Sequence, residues 1–202
     1  MSIKTIIFDF GNVIGFFDHR RITRRLAAET GVPEEFWQRH LLDAALEDDY
    51  ESGRLSTADF LRRVRESTRL DIPEALLVEA YSDIFWPNLE VCDFVPKLKA
   101  CYRLLLGSNT SELHARQFRR QFSETLRHFD ALVLSYEIGA RKPKAAFFEQ
   151  CLRLAQGDAE ECVFIDDLPR NVEGARACGI HGIVYQNFDD LKVQLNAACG
   201  YA

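Results

Sequence analysis

Between residues 102 and 197, short apolar runs alternate with stretches that have helical spacing. The runs are YRLLLGS (102–108), ALVLSY (131–136), CVFIDD (162–167) and GIVYQ (182–186), and helices are predicted near 110–122, 144–155, 169–178 and 188–197. Such alternation is typical of a parallel sheet with helices on both faces. A further run, IKTIIF (3–8), is apolar and β-branched enough to be buried on both faces, so it joins this sheet. The sequence therefore predicts an α/β fold.

A block of helices separates the first predicted strand from the others. HRRITRRLAAETG (19–31) places apolar residues at helical spacing and ends on a glycine, and STADFLRRVRES (56–67) begins like a capped helix. No convincing strand pattern occurs from about residue 19 to 86. We therefore expect an α/β core domain formed by residues 1–15 and 89–202, with an inserted helical domain at 16–88.

Charge and composition exclude several classes of partner. A chain of 202 residues with a formal net charge of −6 lacks the basic face that a nucleic-acid partner requires. Its six cysteines have no C-x-x-C spacing, which argues against a disulfide framework or a zinc site. The N-terminal apolar stretch is short and is interrupted by Asp9, so we expect neither a signal peptide nor a membrane span. These features predict a cytoplasmic globular protein, either a monomer or a homodimer.

Polar residues follow four segments at the predicted carboxyl edge of the sheet, where ligands bind in folds of this kind. They are Asp9, Ser108, Asn109, Arg141, Lys142, Asp166 and Asp167. Taken singly, most of them have an ordinary explanation as helix caps or loop residues. The adjacent Asp166 and Asp167 differ, because neighbouring carboxylates repel each other unless a cation lies close. The convergence of the whole set predicts a functional site.

Phosphoryl transfer through a covalent intermediate is the chemistry that this set suits. A carboxylate such as Asp9 can attack phosphorus and form an aspartyl phosphate. Mg²⁺ held by oxygen ligands would neutralise the phosphate, and a lysine, a hydroxyl and backbone amides would hold the remaining phosphate oxygens. The expected ligand is a small phosphorylated molecule.

Four motifs resemble those of the haloacid dehalogenase-like hydrolase superfamily: FDFGNVI, LLLGSNT, RKPKAAFF and FIDDLPRNVEGARACGI. The DxGN start together with RKP looks most like the bacterial sugar-phosphate phosphatases of that family, including α-glucose-1-phosphatase-like members. The resemblance implies a Rossmann-like core and a small helical cap, which closes over the site, excludes water and selects the substrate.

The resemblance also implies a role for each candidate residue. Asp9 would be the nucleophile, and Lys142 would pair with both Asp9 and the phosphate. The implied magnesium ligands are Asp9, the backbone carbonyl of Gly11, Asp166 and Asp167, with Asp167 the first choice for the direct carboxylate. The residues expected to bind the phosphate or another polar group of the substrate are Ser108, Asn109 and Arg141.

Position 11 departs from the family pattern. The usual second aspartate, which protonates the leaving oxygen and then activates water, is replaced by Gly11. Asn12 cannot titrate, which leaves His19 as the candidate substitute. Without any acid, turnover should depend steeply on the quality of the leaving group.

Two alternatives to a sugar-phosphate phosphatase stay open at this point. A haloacid dehalogenase also uses an aspartate nucleophile and lacks the second aspartate, but it does not need the paired acids Asp166 and Asp167. A non-catalytic binding or regulatory protein would explain Gly11, but it has no need to keep costly charges at Asp9 and Lys142. A magnesium-dependent phosphatase is therefore the expected function.

Overall fold

A parallel sheet forms the centre of the computed structural model, which describes residues 2–200. Within these residues the strands are β1 (Thr5–Phe8), β2 (Gly15–Phe17), β3 (Phe85–Pro87), β4 (Arg103–Ser108), β5 (Ala131–Leu134), β6 (Cys162–Asp166) and β7 (His181–Val184). Five of them form the sheet, in the order β5–β4–β1–β6–β7, and every pairing between them is parallel. The predicted α/β fold is confirmed.

The central strand explains why the sheet forms in this order. All four residues of β1 are buried, as a strand covered on both faces requires. Its last residue, Phe8, lies opposite Leu106 of β4 and Ile165 of β6. Because the strands are parallel, the residues that follow them meet at one edge of the sheet.

Helices cover both faces of the sheet and fill the segment between β2 and β3. They are α1 (Arg20–Thr30), α2 (Glu34–Leu41), α3 (Ala44–Glu51), α4 (Thr57–Thr68), α5 (Glu74–Ser82), α6 (Leu89–Lys99), α7 (Glu112–Gln121), α8 (Ser123–Leu126), α9 (Ser135–Ile138), α10 (Ala145–Leu154), α11 (Pro169–Ala177) and α12 (Phe188–Cys199). The four predicted core helices correspond to α7, α10, α11 and α12. The prediction differs in its details: α6 and α8 were not anticipated, and the run at 131–136 becomes helical from Ser135 onward.

The helical insertion, α1 to α5, has the end signals that its sequence suggests. Ser56 caps α4 by accepting a hydrogen bond from the backbone N–H of Asp59 at 3.1 Å. Gly31 ends α1 in the left-handed region, with φ of 71°, which glycine adopts without steric cost. These local signals are why the helices could be predicted before any tertiary contact was known.

The structure corrects the expectation that residues 19–86 contain no strand. β3 pairs antiparallel with β2, and this ribbon is where the chain enters and leaves the helical insertion. A three-residue strand that ends in proline is too short to show a period of two. The sequence pattern therefore could not indicate it.

The two tryptophans lie in different surroundings. Trp37, in α2, is completely buried inside the helical insertion. Trp86, on β3, is 40% exposed and packs beside Phe16 of β2, with the guanidinium of Arg21 5.9 Å from its ring centroid. One indole thus belongs to the interior of the insertion and the other to its junction with the core.

The helical insertion and the core share one hydrophobic cluster. Tyr81 of α5 stacks on His114 of α7 with ring centroids 4.4 Å apart and planes nearly parallel. At another point the hydroxyl of Ser135 donates to the backbone carbonyl of Glu51 at 2.6 Å. These contacts hold the insertion against the carboxyl edge of the sheet.

In the part of the chain that the structure describes, all six cysteines are free thiols. None of the helices there has both the length and the apolar character to span a bilayer.

Candidate active site

The residues predicted from the sequence converge at the carboxyl edge of the sheet. Asp9 directly follows β1, Ser108 ends β4 and Asp166 ends β6. A cavity of about 250 Å³ opens between this edge and the helical insertion. Seven predicted residues line it: Asp9, Gly11, Ser108, Asn109, Arg141, Lys142 and Asp167. The eighth, Asp166, is completely buried and is not among the lining residues.

Lys142 joins three strands through its ammonium group. Its Nζ donates to Oδ1 of Asp9 at 2.6 Å, to Oδ2 of Asp166 at 2.7 Å and to the carbonyl of Gly107 at 2.8 Å. The side chain is only 1% exposed, so these contacts replace its water shell. All three ammonium protons are engaged, and a contact with phosphate would require the lysine to give up one of these acceptors.

One oxygen of Asp9 is fixed and the other is available. Oδ1 accepts hydrogen bonds from Lys142 and, at 2.7 Å, from the backbone N–H of Phe10. Oδ2 has no hydrogen-bond partner among residues 2–200. A carboxylate held in this way presents one oxygen for nucleophilic attack.

The titration of the Asp9–Lys142 pair follows from burial and charge. Burial raises the pKa of Asp9 to about 8, with Lys142 opposing the shift and the charge of Asp166 adding to it. Burial alone would lower the pKa of Lys142, but the carboxylates of Asp9 and Asp166 outweigh it and raise that pKa above its ordinary value. Further positive charge beside Asp9 would favour the ionised form that a nucleophile requires.

Three carboxylates form a cluster that suits a hard cation. One oxygen from each of Asp9, Asp166 and Asp167 lies within 4.8 Å of the other two. All the donors are oxygens, as Mg²⁺ prefers. Nearby, Oδ1 of Asn171 is buried without a hydrogen-bond partner in the described chain. An unpaired acceptor beside three acids fits a site that receives a cation and its waters.

The two aspartates after β6 are held differently. Both oxygens of Asp166 are occupied, because Oδ1 accepts from the N–H of Leu168 and both oxygens accept from Nδ2 of Asn171. Asp167 accepts one side-chain hydrogen bond, from Nδ2 of Asn12 at 2.9 Å. Asp167 therefore has more lone pairs free for a ligand than Asp166 has.

Asn109 connects the β4 edge to the loop that carries Lys142. Its Oδ1 accepts from the backbone N–H of Lys142 at 2.8 Å, and its Nδ2 donates to the backbone carbonyl of Lys142 at 3.1 Å. In this geometry the amide of Asn109 positions the lysine. Ser108 lies beside it, buried, with its hydroxyl making only a long bond of 3.3 Å to the carbonyl of Asn109.

Gly11 lies in a tight turn where a side chain would require the ring of Phe17 to shift. Asn12 adopts a positive φ of 55°, and its backbone N–H donates to the carbonyl of Gly15 at 2.8 Å. A Cβ placed on Gly11 would be 2.8 Å from the ring edge of Phe17, which is too close for a real contact. The ring of Phe17 thus occupies the direction in which an acid at position 11 would extend.

Arg141 lines the cavity and also joins the core to the helical insertion. Its two terminal nitrogens pair with Asp48 and Glu51 of α3, the latter at 2.7 Å. Its Nε is buried without a partner among residues 2–200. The guanidinium is therefore anchored on the insertion and keeps one donor free.

Apart from His19, sequence reasoning did not identify the part of the cavity wall formed by the helical insertion and α7. Glu47 and Glu51 line it from α3, and His114 lines it from α7. Burial raises the pKa of Glu51 to about 7, despite the opposing charge of Arg141. The spacing of four between the two glutamates places them on one helix face, which was the available signal.

The comparisons with known proteins agree with this geometry. Residues 3–179 match the family model of the haloacid dehalogenase-like hydrolases. The chain belongs to the haloacid dehalogenase-like hydrolases. The observed α/β core is thus that of a hydrolase family.

Similar proteins include several phosphatases. The chain is 22% identical to the D-ribitol-5-phosphate phosphatase of Bacteroides thetaiotaomicron, with 96% of this chain and 97% of that protein covered. It is 30% identical to the glyceraldehyde 3-phosphate phosphatase of Methanopyrus kandleri, with 88% and 82% covered. The chain is also 24% identical to drimenol cyclase drtB of Aspergillus calidoustus. That match covers 98% of this chain but only 37% of the cyclase.

A solved structure of similar fold is HAD family enzyme bt-2542 of Bacteroides thetaiotaomicron, in complex with magnesium and inorganic phosphate. It superimposes with a TM-score of 0.79 at 24% identity, covering 94% of this chain and 99% of that one. At this identity the likeness establishes the shared fold.

Proposed function

We propose that this hydrolase is a magnesium-dependent phosphatase that acts on a small, hydroxyl-rich monophosphate through an aspartyl phosphate on Asp9. The observation that carries the proposal is the carboxylate cluster. Three acids share the single ammonium of Lys142 at the edge of the sheet, so negative charge is in excess there once they are ionised. Uncompensated charge at such a site is costly, and a divalent cation offsets it.

Asp9, Asp166, Asp167 and the carbonyl of Gly11 would hold the magnesium ion, which supplies positive charge to the transferring phosphoryl group. The chain's own residues do the rest. Oδ2 of Asp9 attacks phosphorus while Lys142 and the N–H of Phe10 keep Oδ1 fixed. The hydroxyl of Ser108 lies at the cavity wall, where it would donate to a phosphate oxygen.

The cluster also disfavours the two alternatives. A dehalogenase of this fold does not require a metal, so it would have no charge to offset Asp166 and Asp167. A binding protein without turnover would have no need for a buried nucleophile with a free oxygen. The relative that acts on D-ribitol 5-phosphate and the neighbour that binds magnesium and phosphate support the phosphatase.

The wall formed by the helical insertion favours a neutral, hydroxylated leaving group. Glu47 lines the cavity with a carboxylate that has no hydrogen-bond or ion-pair partner among residues 2–200. Glu51 is neutralised by Arg141, so the unpaired charge on this wall is negative. A carboxylate accepts hydrogen bonds from substrate hydroxyls and repels a second anionic group. Sugar and polyol monophosphates meet both conditions.

We further propose that the helical insertion acts as the cap, with residues 1–15 and 89–202 as the catalytic core and residues 16–88 as the substrate-selecting part. The contacts of Arg141 with α3 support this division, because they place insertion side chains directly opposite the strand edge. The β2–β3 ribbon would then be the connection about which the cap moves.

Phosphate release from a panel of phosphomonoesters, with Mg²⁺ and with chelator, tests the proposal. The panel includes 4-nitrophenyl phosphate, ribitol 5-phosphate, glucose 1-phosphate and fructose 1,6-bisphosphate, and 2-chloropropionate tests dehalogenation. We expect Mg²⁺-dependent release, greatest with the neutral polyol and sugar esters, and none with Asp9→Asn. Chloride release would show a dehalogenase, and no turnover of any compound would show a binding protein.

A further inference from the structure

We infer that His19 is the general acid and base of this hydrolase, in place of the acid missing at position 11. The inference rests on the proposed phosphatase function and adds a catalytic residue to it. Gly11 supplies no acid, and a side chain at that position would meet the ring edge of Phe17, 2.8 Å from its Cβ.

The other titratable groups of the cavity are already committed. Lys142 donates to three acceptors, and Glu51 is paired with Arg141. His114 is buried, with its Nε2 2.9 Å from the carbonyl of Tyr81, and burial together with the neighbouring His19 lowers its pKa to about 3. It therefore stays neutral at ordinary pH. Asp9 is assigned to attack phosphorus and Asp167 to bind the metal. His19 and Glu47 therefore remain as candidate proton donors.

His19 is the better placed of these two. Phe17, whose ring edge lies beside Gly11, also packs against the imidazole of His19, with ring centroids 5.1 Å apart. The imidazole lines the cavity, and neither of its nitrogens has a hydrogen-bond partner in the described chain. It is thus a titratable group of the cavity that contacts the same ring as Gly11.

The surroundings of His19 suit proton transfer in both directions. Burial lowers the pKa of His19, whereas the charges of Glu47 and Asp18 oppose that shift, and the stacked ring of His114 carries no charge. A dianionic phosphate ester entering the cavity would favour the imidazolium further. An imidazole beside the incoming phosphate ester can donate one proton and recover another within a turnover.

Both half-reactions balance with this assignment. In the first, Oδ2 of Asp9 forms a bond to phosphorus, the bond from phosphorus to the ester oxygen breaks, and the His19 imidazolium gives its proton to that oxygen. In the second, water forms a bond to phosphorus, the acyl phosphate bond breaks to restore the Asp9 carboxylate, and the water proton passes to the neutral imidazole. Phosphate then leaves.

The test is the dependence of kcat/KM on leaving-group pKa in His19→Gln and wild type. Aryl phosphates from 4-nitrophenyl to phenyl phosphate, and ribitol 5-phosphate as the alkyl ester, form the series. 4-Nitrophenolate departs without a proton, so kcat/KM for 4-nitrophenyl phosphate should fall by no more than about threefold in His19→Gln. The alkyl ester needs the proton, and its rate should fall by about 100-fold or more. The exposed His181→Gln serves as the matched control.

Two added variants separate a chemical role from a structural one. Imidazole in the buffer should restore alkyl ester turnover to His19→Ala, because that variant leaves space for it. The triple variant G11D/F17A/H19Q should regain part of the lost rate through an acid at position 11. Equal losses for all esters, or wild-type slopes in His19→Gln, would overturn the role of His19 and leave the phosphatase intact. A wild type inactive on every ester would overturn both.

Discussion

The two walls of the cavity hold their charges in different ways. At the strand edge, Lys142 bonds to Asp9 at 2.6 Å and to Asp166 at 2.7 Å, and all three side chains are almost inaccessible to water. On the opposite wall, the side chains of Glu47 and His19 have no hydrogen-bond partners among residues 2–200 and border the open cavity. The first wall is a preorganised charge network, and the second is a set of groups that await a ligand.

The difference indicates that the two walls have different roles in catalysis. Preorganised charges stabilise a transition state without reorganising at the moment of reaction, which suits phosphoryl transfer. Unpaired groups on the wall of a cavity can bond to the substrate that enters, which suits selection. Substitutions on the two walls should therefore fail in different ways, and the following experiments compare them.

The largest effect should come from the strand edge. Asp167→Asn should lower Mg²⁺-dependent kcat by about 10³-fold or more, because the metal contributes several kcal/mol to charge stabilisation. Steady-state kinetics at saturating Mg²⁺ measure it, with circular dichroism to verify the fold. Asp189→Asn, at an exposed acid of α12, is the control. Full wild-type activity in chelator, or an unimpaired Asp167→Asn, would remove the metal from the mechanism.

Arg141 lies between the two walls, and its substitution separates packing from binding. Arg141→Met leaves Glu51 buried without a partner and should lower the free energy of unfolding by about 2 kcal/mol. R141M/E51M removes both partners and should recover most of that loss in urea denaturation. The KM for phosphate esters should stay raised in both variants, because the free Nε of Arg141 is lost in each. A double variant with normal KM would make Arg141 purely structural.

On the insertion wall, Glu47→Gln should change selectivity more than chemistry. Loss of a charge-assisted hydrogen bond to a hydroxyl should raise the KM for ribitol 5-phosphate about tenfold, equivalent to about 1.4 kcal/mol. KM for 4-nitrophenyl phosphate should change less than twofold, and activity on fructose 1,6-bisphosphate should increase because the repulsion is removed. Glu90→Gln, at an exposed site on α6, is the control. Uniform KM changes across all three esters would contradict the assignment.

The smallest effect concerns the pH dependence of stability. His114 has a pKa of about 3 in the folded chain, so below its ordinary value of 6.5 the unfolded chain binds the proton that the folded chain does not. Its contribution to stability is therefore complete above pH 6.5 and is lost as pH falls, by about 1 kcal/mol between pH 7 and 5.5. The free energy of unfolding can be measured by urea denaturation at both pH values. Its decrease from pH 7 to 5.5 should be smaller in His114→Gln than in wild type by that amount.

The contribution of His114 to the pH dependence of stability depends on its burial on α7 against Tyr81 of α5. The exposed His181→Gln should keep the wild-type pH dependence. A His114→Gln variant with the same pH dependence as wild type would mean that the imidazole is not held neutral by the packing against Tyr81.

The strand edge could be predicted because it follows from periodicity and topology alone. Once the apolar runs form parallel strands, the residues after them must meet, and Asp9, Ser108 and Asp166 do so. The catalytic and binding roles given to these residues remain predictions for the experiments above.

The insertion wall could not be predicted in the same way. His114 sits in an ordinary amphipathic helix, and nothing in ELHARQFRRQ distinguishes a buried histidine from a surface one. Its position against Tyr81 depends on how α5 packs on α7. The β2–β3 ribbon likewise exists only because distant segments pair. These features arise from tertiary packing, which a local pattern does not encode.

The two tryptophans should give separate fluorescence signals because their surroundings differ. Trp37, sealed inside the insertion, should emit at short wavelength and resist quenching by acrylamide, whereas Trp86 at the junction should emit at longer wavelength and be quenched readily. A change confined to the quenchable component would record motion of the ribbon while the insertion stays folded. Movement of the junction and melting of the helices could thus be timed separately in one stopped-flow trace, without a label.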